Sequence, residues 1–290
     1  MEAKISVVIA TLNCKNDIEQ DLEQAICSFA NQDYKNKELI IIDGKSTDGT
    51  LSLIEKYKDV ISRSFSEKDN GIYDAYNKGV QFASGDYVVF LGADDSFYNN
   101  TVLGKVAKWI SEENMPDLLS TSIYYIDKGW AYIEKRSVLH GWEEGVKNKR
   151  PMVPHQGLYA KRELLLEHPF DTRYEICADL DFYAYCCSKN KRIVYKDRVT
   201  AYFSRLGISS RNELKTKKEE QKVLSTFGKT IKYNMAVCIR KTKLRKWIAS
   251  HRLGMLLLIR FRGFRIHKCK NEHCRWCDYN RKRINGGMEK

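Results

Sequence analysis

Tyr87-Val88-Val89-Phe90-Leu91-Gly92-Ala93-Asp94-Asp95 decides the fold. Its opening run of apolar residues does not alternate, so it reads as a strand buried on both faces rather than one with a wet side. Such strands belong to parallel sheets covered by helices, and ligands there bind beyond the carboxyl ends of the strands. This strand ends in two adjacent carboxylates, which repel one another unless something positive lies beside them. A hard divalent cation, Mg²⁺ or Mn²⁺, is held by one or two carboxylates plus phosphate oxygens of a substrate. Asp94 and Asp95 are therefore candidate metal ligands; the alternative is a solvated turn or helix cap, for which Asp-Asp-Ser is well suited.

Upstream, the same alternation of strand and helix repeats. Ile5–Ile9 precedes a predicted helix over Asp17–Phe29, where Ile18, Leu22, Ile26 and Phe29 share one face. Glu38–Ile42 is followed by Ser46-Thr47-Asp48, any of which can cap a helix carrying Leu51, Ile54 and Tyr57. A strand is expected at Ile61–Phe65 and a helix over Gly71–Ala83. The strand ends carry Thr11-Leu12-Asn13, Asp43-Gly44 and Gly92-Ala93-Asp94-Asp95, so polar residues collect where a site belongs. Farther on, Thr101–Glu112, Leu164–Leu166 and Asp179–Ser188 read as helices, Leu118–Ile126 as strand, and Arg136–Arg150 as loop-rich.

The charge is unevenly spread. Of 50 Lys+Arg and 37 Asp+Glu, residues 211–290 hold 23 basic against 6 acidic, and residues 1–210 hold 27 against 31. This divides the chain into a mildly acidic body, 1–210, and a basic, mostly helical extension, 211–290. The N-terminus shows no secretory pattern, and the apolar run Leu253–Ile259 is far short of a bilayer span. A cytosolic protein with nine reduced cysteines is expected.

Four blocks together resemble family 2 glycosyltransferases: Ile5–Asn13, Ile40–Thr50, Ser66–Gly79 and Ala83–Asp95, in that order. The resemblance implies the A-type glycosyltransferase fold, a Rossmann-like, mostly parallel sheet with helices on both faces that binds a nucleoside-diphosphate sugar, here expected to be a UDP-sugar. It places Thr11 and Asn13 beside the nucleoside, Asp43 on the base or ribose, Asp69 and Lys78 near the nucleotide, and Asp94 with Asp95 as the diphosphate–metal motif. Relatives often carry an acid where Gly44 stands and another where Gly92 stands. The resemblance extends through Pro154-His155-Gln156-Gly157, which puts His155 near the donor–acceptor junction, and through Pro169–Tyr174.

Inverting transfer needs a base within reach of the acceptor hydroxyl. Cys177-Ala178-Asp179-Leu180-Asp181-Phe182 offers two carboxylates at a helix start, where either can serve only as a cap. The resemblance aligns the base with Asp179 and leaves Asp181 structural. The expected partners are the nucleotide-sugar donor and a glycan or lipid-linked acceptor, as in cell-surface polysaccharide synthesis.

In the basic extension, Leu244, Trp247, Ile248, Leu253, Leu256, Leu257, Ile259, Phe261 and Phe264 interleave with Lys and Arg. That pattern suits peripheral contact with an anionic membrane surface, at the inner face of the cell membrane. Nucleic acid is the rival partner for such a stripe, and none is expected. His267, Cys269, His273, Cys274 and Cys277 contain one Cys-x-x-Cys; reduced thiols are the expectation over zinc, for want of a second such pair. A nucleotide-dependent oxidoreductase would need a glycine-rich turn after the first strand, and Ala10–Lys15 contains no glycine. A non-enzymatic membrane- or nucleic-acid-binding module on the same fold is the other alternative.

Overall fold

The computed structural model describes residues 2–127, 132–136, 142–148, 151, 153–204, 212–233 and 265–266. Four parallel strands begin the sheet: β1 (Ile5–Thr11), β2 (Lys37–Asp43), β3 (Arg63–Ser66) and β4 (Tyr87–Gly92), in the order β4-β1-β2-β3. They are linked through α1 (Cys14–Ala30), α2 (Thr50–Lys56) and α3 (Ile72–Phe82).

The strands read as continuous apolar runs because their two faces enter two different cores. Ile5, Val7 and Ile9 of β1, Leu39 and Ile41 of β2, and Val89 and Leu91 of β4 pack with Leu22, Ile26 and Phe29 of α1. Leu103, Val106 and Ile110 of α4 (Val102–Glu112) complete that layer. Val8, Ile40, Ile42, Val88 and Phe90 face the other way, against Tyr73, Tyr76 and Val80 of α3.

Beyond β4 the sheet becomes antiparallel, a feature the strand–helix alternation does not predict. The two-residue β5 (Ser96–Phe97) follows the acid pair, and β6 (Leu118–Asp127), β7 (Tyr132–Arg136), β8 (Leu158–Lys161), β9 (Ile193–Ser204) and β10 (Arg265–Ile266) complete ten strands among the described residues. β8 runs against β4 and β6, β7 against β6, and β10 against β7. β9 lies parallel to β6 with register shifts at Thr121/Ser122 and Ser122/Ile123, and pairs antiparallel with β5. The stretch expected to be loop-rich contains α5 (Trp142–Lys147), and the later helices are α6 (Arg162–Glu167), α7 (Ala178–Ser188) and α8 (Glu213–Thr226).

Within the basic stretch 211–290, α8 packs on the second core through buried Val223 and contacts α7. The apolar anchors Leu244 to Phe264 and the Cys/His group His267, Cys269, His273, Cys274 and Cys277 lie outside the described residues. Among the described residues no helix is long and apolar enough to cross a membrane.

Candidate active site

Strand register brings Thr11, Asp43 and Ser66 side by side at the carboxyl edge, Thr11 opposite Asp43 and Asp43 opposite Ser66. Asp43 is 1% exposed, and its carboxylate accepts hydrogen bonds from the Ser46 N–H (2.8 Å), the Ser46 hydroxyl and the Ser66 hydroxyl (2.7 Å). Ser46 Oγ in turn accepts from the Asn13 N–H at 2.8 Å, and Asn13 Oδ1 accepts from the Thr47 N–H at 2.9 Å. Asn13 sits at φ 50°, a left-handed conformation that Asn tolerates better than most residues. Thr11 turns its hydroxyl to Cys14 Sγ at 2.7 Å. Asp43 thus fastens three strand-end loops together.

Gly44 explains why a second acid is missing there. A Cβ at that position would stand 2.7 Å from Asp69 Oδ2, so Asp69 occupies the space a side chain would take. The loop carrying Asp69 is fixed by its own carboxylate, which accepts from the Gly71 N–H at 3.0 Å. Lys78 holds the same loop: its Nζ pairs with Glu67 (2.9 Å) and Asp74 (3.3 Å) and donates to the Lys68 carbonyl (3.3 Å). Its charge is engaged by Glu67 and Asp74.

The two acids after β4 have different surroundings. Asp95 is 2% exposed, and its oxygens accept three N–H bonds, from Gln156 Nε2 (2.8 Å), Gly92 N (2.9 Å) and Ser204 N (2.9 Å). Burial pushes its carboxyl above the usual aspartate range, opposed by those hydrogen bonds and by the imidazole of His155. Asp94 is only partly buried. A Cβ at Gly92 would lie 2.7 Å from Asp95 Oδ2 and 3.0 Å from Asp94 Oδ1, so an acid at that position would crowd both carboxylates. Among the described residues no three His, Cys, Asp or Glu side chains converge on a possible metal position. The chemistry still fits a hard cation, which needs only one or two carboxylates and takes its other ligands from phosphate and water. The fully buried Tyr76 hydroxyl, without a hydrogen-bond partner among the described residues, is a further polar atom in the field of Asp95, Asp179 and Asp94.

Asp179 lies in the first turn of α7 and is 5% exposed. Its Oδ1 accepts from the Leu180 N–H (2.9 Å) and lies 3.1 Å from the Tyr73 hydroxyl, while Oδ2 lies 3.0 Å from His155 Nδ1. The Tyr73 hydroxyl also donates to the Ile176 carbonyl at 2.7 Å. Burial raises the Tyr73 and Tyr76 phenols, and neighbouring Asp179 adds to both, so they remain protonated. Asp181 forms a separate pair with His168 Nε2 at 3.1 Å, and the His168 ring stacks on Tyr185.

His155 and Gln156, consecutive in a short 3₁₀ turn (His155–Gly157), thereby connect Asp179 on one side to Asp95 on the other. Of the residues singled out from sequence, Asp94, Asp95, His155 and Asp179 belong to this half, and Thr11, Asn13, Asp43, Asp69 and Lys78 to the loops of β1, β2 and β3. Tyr73, Tyr76, Gln156 and Ser204 are additions. Tyr73 and Tyr76, three apart on a helix, carry a weak signal as hydroxyls on an apolar face; the backbone N–H of Ser204 carries none.

The family model for glycosyl transferase family 2 matches residues 6–166, more than half of the chain. A PGL/p-HBAD biosynthesis glycosyltransferase of Mycobacterium bovis is 30% identical over 211 residues, covering 70% of this chain and 77% of the relative. The UDP-Glc:alpha-D-GlcNAc-diphosphoundecaprenol beta-1,3-glucosyltransferase WfaP of Escherichia coli is 37% identical over 127 residues, 43% of this chain and 47% of that protein. Among solved structures, the mannosyltransferase PcManGT from Pyrobaculum calidifontis, in complex with GDP-Man and Mn²⁺, aligns with a TM-score of 0.59 at 17% identity, over 78% of this chain and 64% of that one. S. aureus TarS 1-349 in complex with UDP aligns with a TM-score of 0.56 at 21% identity, over 72% of this chain and 62% of that one. The chain thus spans less than two thirds of either solved structure, and at these identities they speak for the fold alone. With the family model and the Mycobacterium relative in agreement with the sheet and its helices, the chain belongs to glycosyl transferase family 2 and is a glycosyltransferase of the A-type fold.

Proposed function

We propose that this glycosyltransferase transfers a sugar, with inversion, from a UDP-sugar to a hydroxyl of a glycan or lipid-linked acceptor. The observation that carries the reading is the bridge made by His155 and Gln156, which joins a strand-end acid pair to a second, helix-borne carboxylate in one site. The UDP-Glc donor and the diphosphoundecaprenol-linked substrate in the name of WfaP support the donor and acceptor classes.

The roles follow from the surroundings. Thr11, Asn13, Asp43 and Asp69 frame the nucleoside, with Asp43 setting the loops and Asp69 filling the space beside Gly44. Asp94 is the carboxylate for a divalent cation, Mg²⁺ or Mn²⁺; such an ion, when bound, neutralises charge on a departing diphosphate. Asp95 holds the strand end and the β9 terminus in place. Lys78 fixes the loop from Glu67 to Asp74. Asp179, paired with His155, is the base that receives the acceptor's proton as the hydroxyl attacks the anomeric carbon. The basic stretch 211–290 would hold the enzyme at the inner face of the cell membrane, beside a lipid-linked acceptor.

Thermal unfolding of the full chain with a panel of nucleotide sugars and Mn²⁺ tests the donor class, because a ligand that binds only the native state raises Tm. UDP-glucose or UDP-GlcNAc should raise Tm, and GDP-mannose should not. No shift with any nucleotide, with or without Mn²⁺, would sink the reading. Co-sedimentation with phosphatidylglycerol vesicles tests the membrane contact; protein left in the supernatant at low salt rejects it.

A further inference from the structure

We propose that Tyr98, Tyr124 and Tyr202 form a platform on which a sugar ring of the acceptor glycan stacks, beside the acid pair that ends β4. This rests on the transferase reading above and gives the acceptor a place to bind.

β9 pairs with β5 on one side and β6 on the other, so Ser96 and Tyr124 both lie opposite Tyr202. The Tyr98 N–H donates to the Thr200 carbonyl at 2.8 Å, which carries the same pairing one step past β5. The three phenol rings gather there: Tyr98 lies 5.7 Å from Tyr124 and 5.4 Å from Tyr202 between centroids. Tyr124 stacks on Tyr202 at 5.8 Å with 22° between the ring planes. Side chains alternate between the two faces of a sheet. Phe97, Leu119, Ile123 and Ala201 enter the first core, and Phe203 packs against it. Tyr98, Tyr124 and Tyr202 therefore point the other way, to the face where Leu118 joins the core shared by α3 and α7. Neither core of the described residues includes any of the three. Tyr98 is 38% exposed and the other two are half-buried, so ring surface is left open.

The platform is continuous with the candidate active site. Tyr98 follows Asp95 by three residues, and the Ser204 N–H that meets Asp95 Oδ1 at 2.9 Å lies two residues beyond Tyr202. Two residues of strand span about 7 Å, so a ring stacked on the tyrosines sits about one sugar unit from the acids. The chemistry of the surface chooses its occupant. Ser96 and Ser204, on the same face by the same alternation, are each 2% exposed, and their hydroxyls have no hydrogen-bond partner among the described residues. A buried polar group left unpaired is costly. The C–H face of a sugar meets the negative face of an aromatic ring, while its hydroxyls reach the phenol oxygens and, directly or through a water, the two serines. A hydrocarbon chain has nothing to offer those oxygens, so the occupant is a saccharide and not the lipid part of an acceptor.

Two measurements on the full chain test this, with soluble di- and trisaccharides of glucose, galactose, mannose, rhamnose and N-acetylglucosamine as probes. Carbon-13 NMR of protein labelled in its tyrosine rings, with the three signals identified by their loss in Tyr98→Phe, Tyr124→Phe and Tyr202→Phe, should show all three move on titration with at least one probe. Calorimetric titration with that probe should give a Kd about tenfold higher in Tyr98→Ala. Tyr98→Phe, which keeps the ring, should stay near wild type, and Tyr98→Trp, which enlarges it, should bind more tightly. The Kd for UDP and the Tm should be unchanged in all three, since Tyr98 is exposed. Saccharides that leave all three signals in place, an unchanged Kd in Tyr98→Ala, or an equal loss in Tyr98→Phe would each overturn the proposal. So would signals that move with farnesyl phosphate and with no saccharide, which would make the occupant a lipid. Should wild-type protein fail to bind UDP, the transferase reading fails instead, while the saccharide titration still judges the platform.

Discussion

Gln156 Nε2 donates to Asp95 Oδ2 at 2.8 Å inside the protein, one residue after the imidazole that meets Asp179. A buried carboxylate that loses one of its donors keeps its desolvation cost, and an unsatisfied buried group costs about 1–3 kcal/mol. Gln156→Leu should therefore lower stability by about that amount, read by urea denaturation. It should also lower the saturated rate of UDP release, since Asp95 anchors both Gly92 and Ser204. A variant as stable as wild type would remove Asp95 from the structural role assigned to it.

A second carboxylate, at the opposite edge of the sheet, makes stability depend on pH. Glu38 accepts from the Ser6 hydroxyl (2.5 Å), the Ser84 N–H (2.6 Å) and hydroxyl (2.8 Å), and the Gly85 N–H (3.1 Å), and pairs with Lys4 at 3.0 Å. Burial alone would raise its carboxyl; the hydrogen bonds win and hold it at about 2, against an ordinary 4.5. The folded value is depressed, so the stabilisation is present above pH 4.5 and is lost as pH falls toward 2. That difference corresponds to about 3 kcal/mol. Glu38→Gln should lose most of this at pH 7, and its gap from wild type should narrow as pH falls below 4.5 and close only below about 2 in urea titrations. A pH-independent gap would contradict the linkage.

The parallel half of this fold is legible because its residues state their own environment. Val8, Ile40 and Phe90 are apolar between apolar neighbours, which only a strand covered on both faces requires, and the cores on each side confirm it. The antiparallel half is not, because β8 is four residues long and β9 mixes Lys196, Asp197 and Arg198 into its run. Their pairing is decided by contacts with β6 across long sequence separations. In the site, Asp94, Asp95 and Asp179 stand out as acids at element ends. What each acid touches is not legible: the Gln156 and Ser204 donors that set Asp95 apart from Asp94 come from 61 and 109 residues away.

Glu219 shows how α8 bears on the site. Its Oε2 accepts from the Ile176 N–H (2.9 Å) and the Cys177 N–H (3.1 Å), donors at the start of the helix that carries Asp179. A side-chain acceptor at a helix N-terminus is worth about 0.5–2 kcal/mol, and a negative charge there complements the helix dipole. Glu219→Ala should lower stability within that range and reduce turnover with little change in UDP affinity. Glu219→Gln, which keeps an acceptor oxygen, should restore most of the loss. Full turnover in Glu219→Ala would show that α7 holds Asp179 without this cap.

Asp94 and Asp95 give the sharpest contrast, since the loss of either carboxylate should fail in a different way. Asp94 is partly buried at the strand tip, so Asp94→Asn should leave thermal stability close to wild type. On the proposed assignment it should abolish the part of UDP affinity that depends on Mn²⁺, because the carboxylate proposed for the cation is gone while the loops around Asp43 are intact. Asp95→Ala removes an acceptor from three buried N–H groups, Gln156, Gly92 and Ser204. It should be the less stable of the two by several kcal/mol, roughly one lost partner at a time. Calorimetric titration of UDP with and without Mn²⁺, beside thermal unfolding of both variants, separates these outcomes. If Asp94→Asn binds UDP with an undiminished Mn²⁺ dependence, the cation is held elsewhere, and the assignment of Asp94 as its ligand is wrong.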